Sequence, residues 1–338
     1  MEEIQEISGT EGGYPVGPGG RSVLKPLLRT VVGVGIIVLL VVRSDVRAIG
    51  EAIADADAAW IGLAFALLMG SLVVSALRWE VFLRSLDVEL APGPTMRLTF
   101  VGAFFNAFLP TGVGGDAYKA VRVRGPGVPL SRTLASVLLD RIAGIVCLAA
   151  MGLVAVIVRL AAGDPGPVVP LAALISVGVL VAAGVLVAFG ERFVRTGRST
   201  WFGLRPRLQR TARALTEAGT HPRSVRRGIL WGVATQVLAV AAHLALARAL
   251  SLGVPLAALT LGLVIATVAA TAPITINGLG FREGAWVWVL GVYGVGGGRA
   301  LAYALLILAI FLATSAIGGV VYAVAGGDVT AATTRARS

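Results

Sequence analysis

Three runs, "TVVGVGIIVLLVV" from Thr30, "IGLAFALLMGSLVVSAL" from Ile61 and "ALLILAIFLATSAIGGVVYAVA" from Ala304, consist of hydrocarbon side chains with only an occasional hydroxyl. Each approaches or exceeds the roughly 17 to 25 residues that a helix needs to cross a bilayer. In hydrocarbon every backbone N–H and C=O must find its partner inside the protein, which leaves helices and closed barrels as the only spanning structures. Nothing in the chain shows the alternating segments of about ten residues that a barrel strand requires. The fold class expected is therefore all-α, a polytopic membrane helical bundle. The composition agrees: 57% of the 338 residues are hydrophobic and only 14% charged.

Apolar length places spans at 27–42, 59–77, 131–158, 168–190, 228–247 and 300–325. Two regions do not fit that scheme. Residues 98–109 are apolar but too short, at about 1.5 Å per residue, to cross a core of about 30 Å, and the basic segment 119–132 follows almost at once. Residues 257–294 form two apolar legs interrupted by "PITINGLGFREG".

Charge orients the spans. The linker 191–227 is arginine-rich with only Glu191 and Glu217 against it, so it is expected to face the cytoplasm, with 205–218 as an amphipathic helix on the membrane surface. Its arginines read first as topology determinants. Counting outward puts the loop 43–58 outside and both termini inside, including an acidic, Gly/Pro-rich tail over 1–23, expected to be disordered, and a tail over 326–338. The bundle, 24–325, then divides into halves of opposite polarity, 24–160 and 168–325, each with one broken or re-entrant hairpin. That is the pattern of an inverted-topology repeat. The breaks align by residue type: Pro110 with Pro273, Gly115 with Gly278, Tyr118 with Phe281, and Lys119 with Arg282.

A helix broken at membrane depth leaves backbone polar groups that must face protein or water. In "FNAFLPTGVGGDAYKAVRV", Pro110 ends the first leg while Gly112, Gly114 and Gly115 permit a tight reversal. Asp116 and Lys119 fall on one face of a following helix, whose free N–H groups, with Lys119 and Arg122 nearby, suit an anion; Asn106 offers a polar contact. In the second break Asn277 before Gly278 suits a left-handed turn or a polar ligand. Arg282 and Glu283 open the next leg, and Glu283 either caps that helix or pairs with a charge or ligand. In "SVLLDRIAGI", Asp140 and Arg141 sit roughly 13 Å along their span. They point about 100° apart and so reach different partners, Arg141 either a phosphate or Asp116, with a buried register-fixing pair as the alternative. Arg78, Trp79 and Glu80 read as anchors at the membrane interface.

Other signals are weaker. His243 on an apolar span has no second histidine or carboxylate at ligand spacing, so it reads as a satisfied polar residue, and no metal or cofactor is expected. Cys147, the single cysteine, reads as a small core residue. "VYGVGGGRA" reads as a flexible outside connection, and no nucleotide loop is evident. The net charge of +11 lies between apolar spans rather than among aromatic stacking positions, so nucleic acid is not expected as a partner.

The segments "NAFLPTGVGGDAYKAVRV", "SVLLDRIAGI" and "PITINGLGFREGA", in that order, resemble the lysylphosphatidylglycerol synthase transmembrane-region family, a flippase-like family, over about 24–325. In bifunctional synthases of that kind the membrane part is thought to flip an aminoacylated phospholipid made by a cytosolic transferase domain. The resemblance implies here a stand-alone member without that domain, not an enzyme, in the inner or plasma membrane. Family members often carry arginine where this chain has Lys119, which keeps the charge but weakens a bidentate phosphate grip. The function expected is translocation of a lipid-linked polar headgroup: an aminoacyl or anionic phospholipid, or a polyprenyl-phosphate glycan. A separate lipid-modifying enzyme is a possible partner. The alternatives are an enzyme acting on a lipid-linked substrate and a non-transporting scaffold. The expected headgroup contacts are Asn106, Gly114, Gly115, Asp116, Lys119, Arg122, Asp140, Arg141, Asn277, Gly278, Arg282 and Glu283.

Overall fold

A computed structural model of the chain describes residues 24–109, 113–124, 127–163, 165–196, 205–219, 221–271, 275–325 and 335–336. They form twelve α-helices: α1 (Leu24–Arg43), α2 (Val46–Ala54), α3 (Ala58–Ser85), α4 (Pro92–Phe108), α5 (Gly114–Arg122), α6 (Leu130–Ala161), α7 (Val168–Thr196), α8 (Arg205–Gly219), α9 (Pro222–Ala249), α10 (Leu256–Ala270), α11 (Phe281–Val292) and α12 (Gly297–Val324). One turn of 3-10 helix, Ile276–Gly278, separates α10 from α11. The strand content described is a two-residue antiparallel pairing of Val88–Glu89 with Arg335–Ala336. The expectations placed on Pro110, Gly112, Pro273 and the tails 1–23 and 326–334 lie outside the described residues.

Five helices, α3, α6, α7, α9 and α12, are long and apolar enough to cross a membrane by length and composition. Only 11% of the most apolar window of α3 and 22% of that of α7 is buried inside the protein. Their outward faces show Leu63, Leu174, Val181, Leu230 and Val320 to the surroundings. A surface this apolar is stable against lipid and not against water. The helices of the two breaks are shorter: α4 has 17 residues, α5 9, α10 15 and α11 12. At about 1.5 Å per residue none of the four spans about 30 Å alone.

The connection 43–58, expected as a loop, contains α2. Asp45 caps it, its Oδ1 accepting from the N–H groups of Arg47 (2.9 Å) and Ala48 (3.2 Å). Asp57 caps α3 in the same way, accepting from Ala59 N–H at 2.8 Å. Such caps satisfy donors that a helix start leaves open. The connection 292–300 is similarly tight, because a Cβ on Gly298 would lie 2.7 Å from the Ala48 side chain. α8 falls where the amphipathic helix is expected, with Ala214 and Ala218 buried against the bundle.

α3 and α9 pack along their full length and run antiparallel. Asp57 N–H donates to Ala249 O at 3.0 Å at one end, Gly70 faces Leu238 midway, and Gly228 faces the Phe82 ring near the other. Around this pair the packing falls into two matching sets. α3 packs on α4, α6 and α12, whereas α9 packs on α10, α12 and α6. α4 meets α5 and α12, as α10 meets α11 and α6; α5 meets α6, as α11 meets α12; α2 meets α12, as α8 meets α6. Exchanging α2 to α6 for α8 to α12 reproduces these contacts. A close glycine crossing recurs in each set: a Cβ on Gly318 of α12 would lie 2.0 Å from Phe100 O of α4, and one on Gly152 of α6 would lie 2.7 Å from Val264 of α10. One core gathers about Trp79, Leu83 and Leu98, and another about Leu246, Trp286 and Tyr303.

Candidate functional site

The first break is held shut by its own backbone and by Asn106. A Cβ on Gly115 would lie 1.8 Å from Gly102 O, so only glycine lets α5 fold back this closely on α4. Gly115 N–H donates to Asn106 Oδ1 at 2.9 Å, and Asn106 Nδ2 reaches Asp116 Oδ1 at 3.4 Å. The start of α5 thus spends one of its free N–H groups on a side chain. Gly114 abuts Leu109 across the turn.

Asp116 is paired with Arg141, the second of the two partners foreseen for that arginine. Asp140, one residue earlier, points elsewhere and accepts from Arg78 Nε at 2.7 Å. The 100° offset between neighbours on a helix therefore separates their partners as expected. Arg78 itself corrects the sequence reading, which placed it at the membrane interface. α3 continues to Ser85, about two further turns, so Arg78 lies inside the bundle at 5% exposure and Asp140 at 7%. Its guanidinium lies over Gly144 of α6, where a Cβ would come within 3.2 Å of Nη1 and Nη2. Nη2 reaches Ser75 Oγ at 3.3 Å, and Nη1 is buried without a hydrogen-bond partner. Gln236 of α9 closes the same spot, donating to Gly144 O at 2.9 Å.

Lys119 joins this group from α5. It is 5% exposed, with Nζ 4.0 Å from the centre of the Trp79 ring, a cation–π contact. Burial is the largest influence on its ammonium group, ahead of the attraction of Asp140 and Asp116 and the repulsion of Arg141 and Arg78. Trp79 in turn donates to Ser136 Oγ at 3.1 Å. Arg122, three residues beyond Lys119, stacks over the Tyr118 ring at 5.3 Å. The polar centre of this half therefore gathers three basic side chains, Arg78, Lys119 and Arg141, with two acidic ones, Asp116 and Asp140.

The second break is built differently. Asn277 adopts φ 50° and ψ 32°, the left-handed turn expected of it, and Gly278 follows at φ 72°. A Cβ on Gly278 would lie 2.2 Å from Ala270 Cα, which matches the close approach at Gly115. Glu283 does both things foreseen for it. Its Oε2 accepts from Gly280 N–H at 2.6 Å, capping α11, and its Oε1 accepts from Arg282 at 2.9 and 3.0 Å. Glu283 is fully buried. Arg282 lies 4.9 Å from the Phe311 ring and lines a cavity of about 210 Å³ with Leu68, His243, Thr267, Trp286 and Phe311.

His243 is satisfied, as expected: its Nδ1 is 2.6 Å from Tyr303 Oη and its ring stacks on Trp286 at 4.6 Å. This pair links α9 to α12, and Arg78 with Asp140 links α3 to α6. The two pairs occupy corresponding crossings of the exchanged sets, an arginine–aspartate pair in one and a histidine–tyrosine pair in the other. Sequence reasoning took Arg78 for an interfacial anchor and passed over Gln236 and Tyr303. The available signal for Arg78 was the apolar "VFL" immediately after "RWE", which continues the helix beyond the charge.

The site residues gather into two groups, one at each break: Asn106, Gly115, Asp116, Lys119, Asp140 and Arg141 with Arg78, and Asn277, Gly278, Arg282 and Glu283 with His243. Across known proteins, the chain is 25% identical over 126 residues to the UPF0104 membrane protein PH1989 of Pyrococcus horikoshii, an alignment covering 36% of this chain and 38% of that protein. The chain thus matches well under half of that relative's length. The family model described as the lysylphosphatidylglycerol synthase TM region matches residues 27–319, from within α1 to the last turns of α12 and through both breaks. This multi-pass membrane protein belongs to the lysylphosphatidylglycerol synthase TM region family.

Proposed function

We propose that this protein translocates a lipid-linked polar headgroup across the cell membrane, with both termini cytoplasmic. The observation that carries the reading is the polar centre at the first break. Charged residues inside a bundle of lipid-facing helices are costly and are retained where they serve a pathway. This one has three cations against two carboxylates, and a buried guanidinium nitrogen, Arg78 Nη1, that lacks a partner. Counted as fully charged, the centre carries one surplus positive charge, which suits a phosphate. Asp116, exposed enough to meet a ligand, would exchange its arginine for an aminoacyl ammonium. The anionic or aminoacylated phospholipids and polyprenyl-phosphate lipids share this chemistry.

The matched packing supports a mechanism. Two sets of helices exchanging about an antiparallel pair are what an inverted repeat produces, and such repeats rock against each other around a site near the midplane. The breaks supply half-helices whose termini face protein or water. Proteoliposomes carrying headgroup-labelled anionic lipid test the reading. Asp116→Ala and Arg282→Ala are expected to lose translocation while eluting as folded protein, and normal translocation by both would sink the proposal. A required divalent metal with product formation would favour an enzyme instead. Loss of function on deleting the linker alone, with the charges at the breaks dispensable, would favour a scaffold.

A further inference from the structure

The end of the bundle that carries α8 contains a second, separate pocket. It opens where the last turns of α3 meet the first turns of α9, and its volume is about 240 Å³. α3 contributes Leu77, Glu80, Val81 and Arg84, spaced so that all four share one helix face. α9 contributes Arg223, Ser224, Arg227 and Trp231. The cleft exists because the helices pinch at one point beside it: Phe82 seats against Gly228, where a Cβ would come within 2.5 Å of the ring.

Charge is uneven within the pocket. Arg84 donates to Glu80, which neutralises the one carboxylate present. Arg223 and Arg227 remain, and among the described residues neither forms an ion pair. Both are exposed. Polarity also changes along the cleft. The arginines and Ser224 lie toward the helix ends, whereas Leu77, Val81 and Trp231 lie deeper, Trp231 about 12 Å along α9 from Arg223. Along the same stretch and further on, α9 exposes Ile229, Leu230, Val233 and Val237.

A charged mouth above an apolar floor, at the end of two lipid-facing helices, has the polarity of one phospholipid. From this arrangement we infer that the α3–α9 cleft is a standing site for an anionic phospholipid, separate from the translocation centre. Its phosphate sits between Arg223 and Arg227 with the Ser224 hydroxyl, and its chain lies along Val81, Leu77 and Trp231. Arginine suits this role because its planar fork meets two phosphate oxygens at once. Arg226, on the same turn but not lining the cleft, contributes only to the surface field. The basic end of α9 is then more than a topology determinant, since two of its arginines hold a particular lipid.

Native mass spectrometry of the full chain in detergent, titrated with short-chain phosphatidylglycerol, phosphatidylcholine or inorganic phosphate, tests this. Wild type is expected to retain phosphatidylglycerol at least tenfold better than phosphatidylcholine. The R223Q/R227Q variant and the single variant Ser224→Asp, which keeps both arginines, are each expected to lose at least tenfold in phosphatidylglycerol binding. Arg226→Gln, the same charge change outside the cleft, is expected to bind as wild type does. Equal losses in Arg226→Gln would overturn the site in favour of diffuse charge. Inorganic phosphate displacing the lipid at equal concentration would overturn the lipid assignment.

Discussion

Removing the Asp140 carboxylate should strand a buried charge. Arg78 is 5% exposed and has two polar contacts, Asp140 Oδ1 at 2.7 Å and Ser75 Oγ at 3.3 Å, with Nη1 already unpartnered. In Asp140→Ala the guanidinium keeps only the weaker of the two. Breaking a buried pair in this way costs about 3–5 kcal/mol, because the surviving charge cannot regain water. At about 1.4 kcal/mol per tenfold, that lowers the ratio of folded to unfolded protein on the order of a hundredfold to a few thousandfold. Replacing both partners, R78M/D140L, removes the uncompensated charge along with the bond and is expected to restore most of the stability. The assay is built into the chain: Cys147, the single cysteine, is 3% exposed, so a thiol-reactive fluorophore labels only protein that has opened. Its labelling midpoint in an SDS or temperature titration should fall sharply for Asp140→Ala and recover in the double variant. A midpoint for Asp140→Ala within experimental error of wild type would refute the reasoning, since the guanidinium would then not be buried. The stable double variant should still fail to translocate lipid, which separates the structural cost from the functional one.

Three further outcomes follow from the packing and charge. Ala at Gly318 must displace the Phe100 carbonyl, 2.0 Å from its new Cβ, so Gly318→Ala should lower the labelling midpoint by an amount equivalent to about 1–3 kcal/mol, whereas Gly62→Ala, with open space around it, should not. Asn277→Val places a β-branched residue at φ 50° and should destabilise by about 1–3 kcal/mol, while Asn277→Gly should be close to wild type in the same titration. Lys119→Gln removes the surplus charge of the first centre. It should therefore reduce the preference for anionic over zwitterionic headgroups in a proteoliposome assay, without the collapse in stability expected for Asp140→Ala.

The helices were legible because apolar length is a local property. The spans expected at 131–158 and 300–325 became α6, Leu130–Ala161, and α12, Gly297–Val324. The second break was legible for the same reason, since Asn277 and Gly278 announce a left-handed turn in any context. Asp140 and Arg141 could be assigned to different partners from helix geometry alone, but not to named ones. What stayed hidden was pairing at a distance. Arg78 and Asp140 are 62 residues apart, and His243 and Tyr303 are 60 apart, with nothing in either segment to mark the other. Arg78 was misplaced for a further reason: the apolar run ends at Leu77, so the charge looked like the end of the helix, although α3 runs on to Ser85. Length of hydrocarbon and length of helix are different quantities when the final turns pack against protein.

The most direct measurement uses purified wild-type protein in sealed liposomes containing headgroup-labelled anionic, aminoacylated or polyprenyl-phosphate lipid, with a membrane-impermeant quencher added outside. Inner-leaflet label should become quenchable only when the protein is present, for at least one of these lipids, and Asp116→Ala should abolish the effect. Label that stays protected with wild-type protein for all three lipids would contradict translocation.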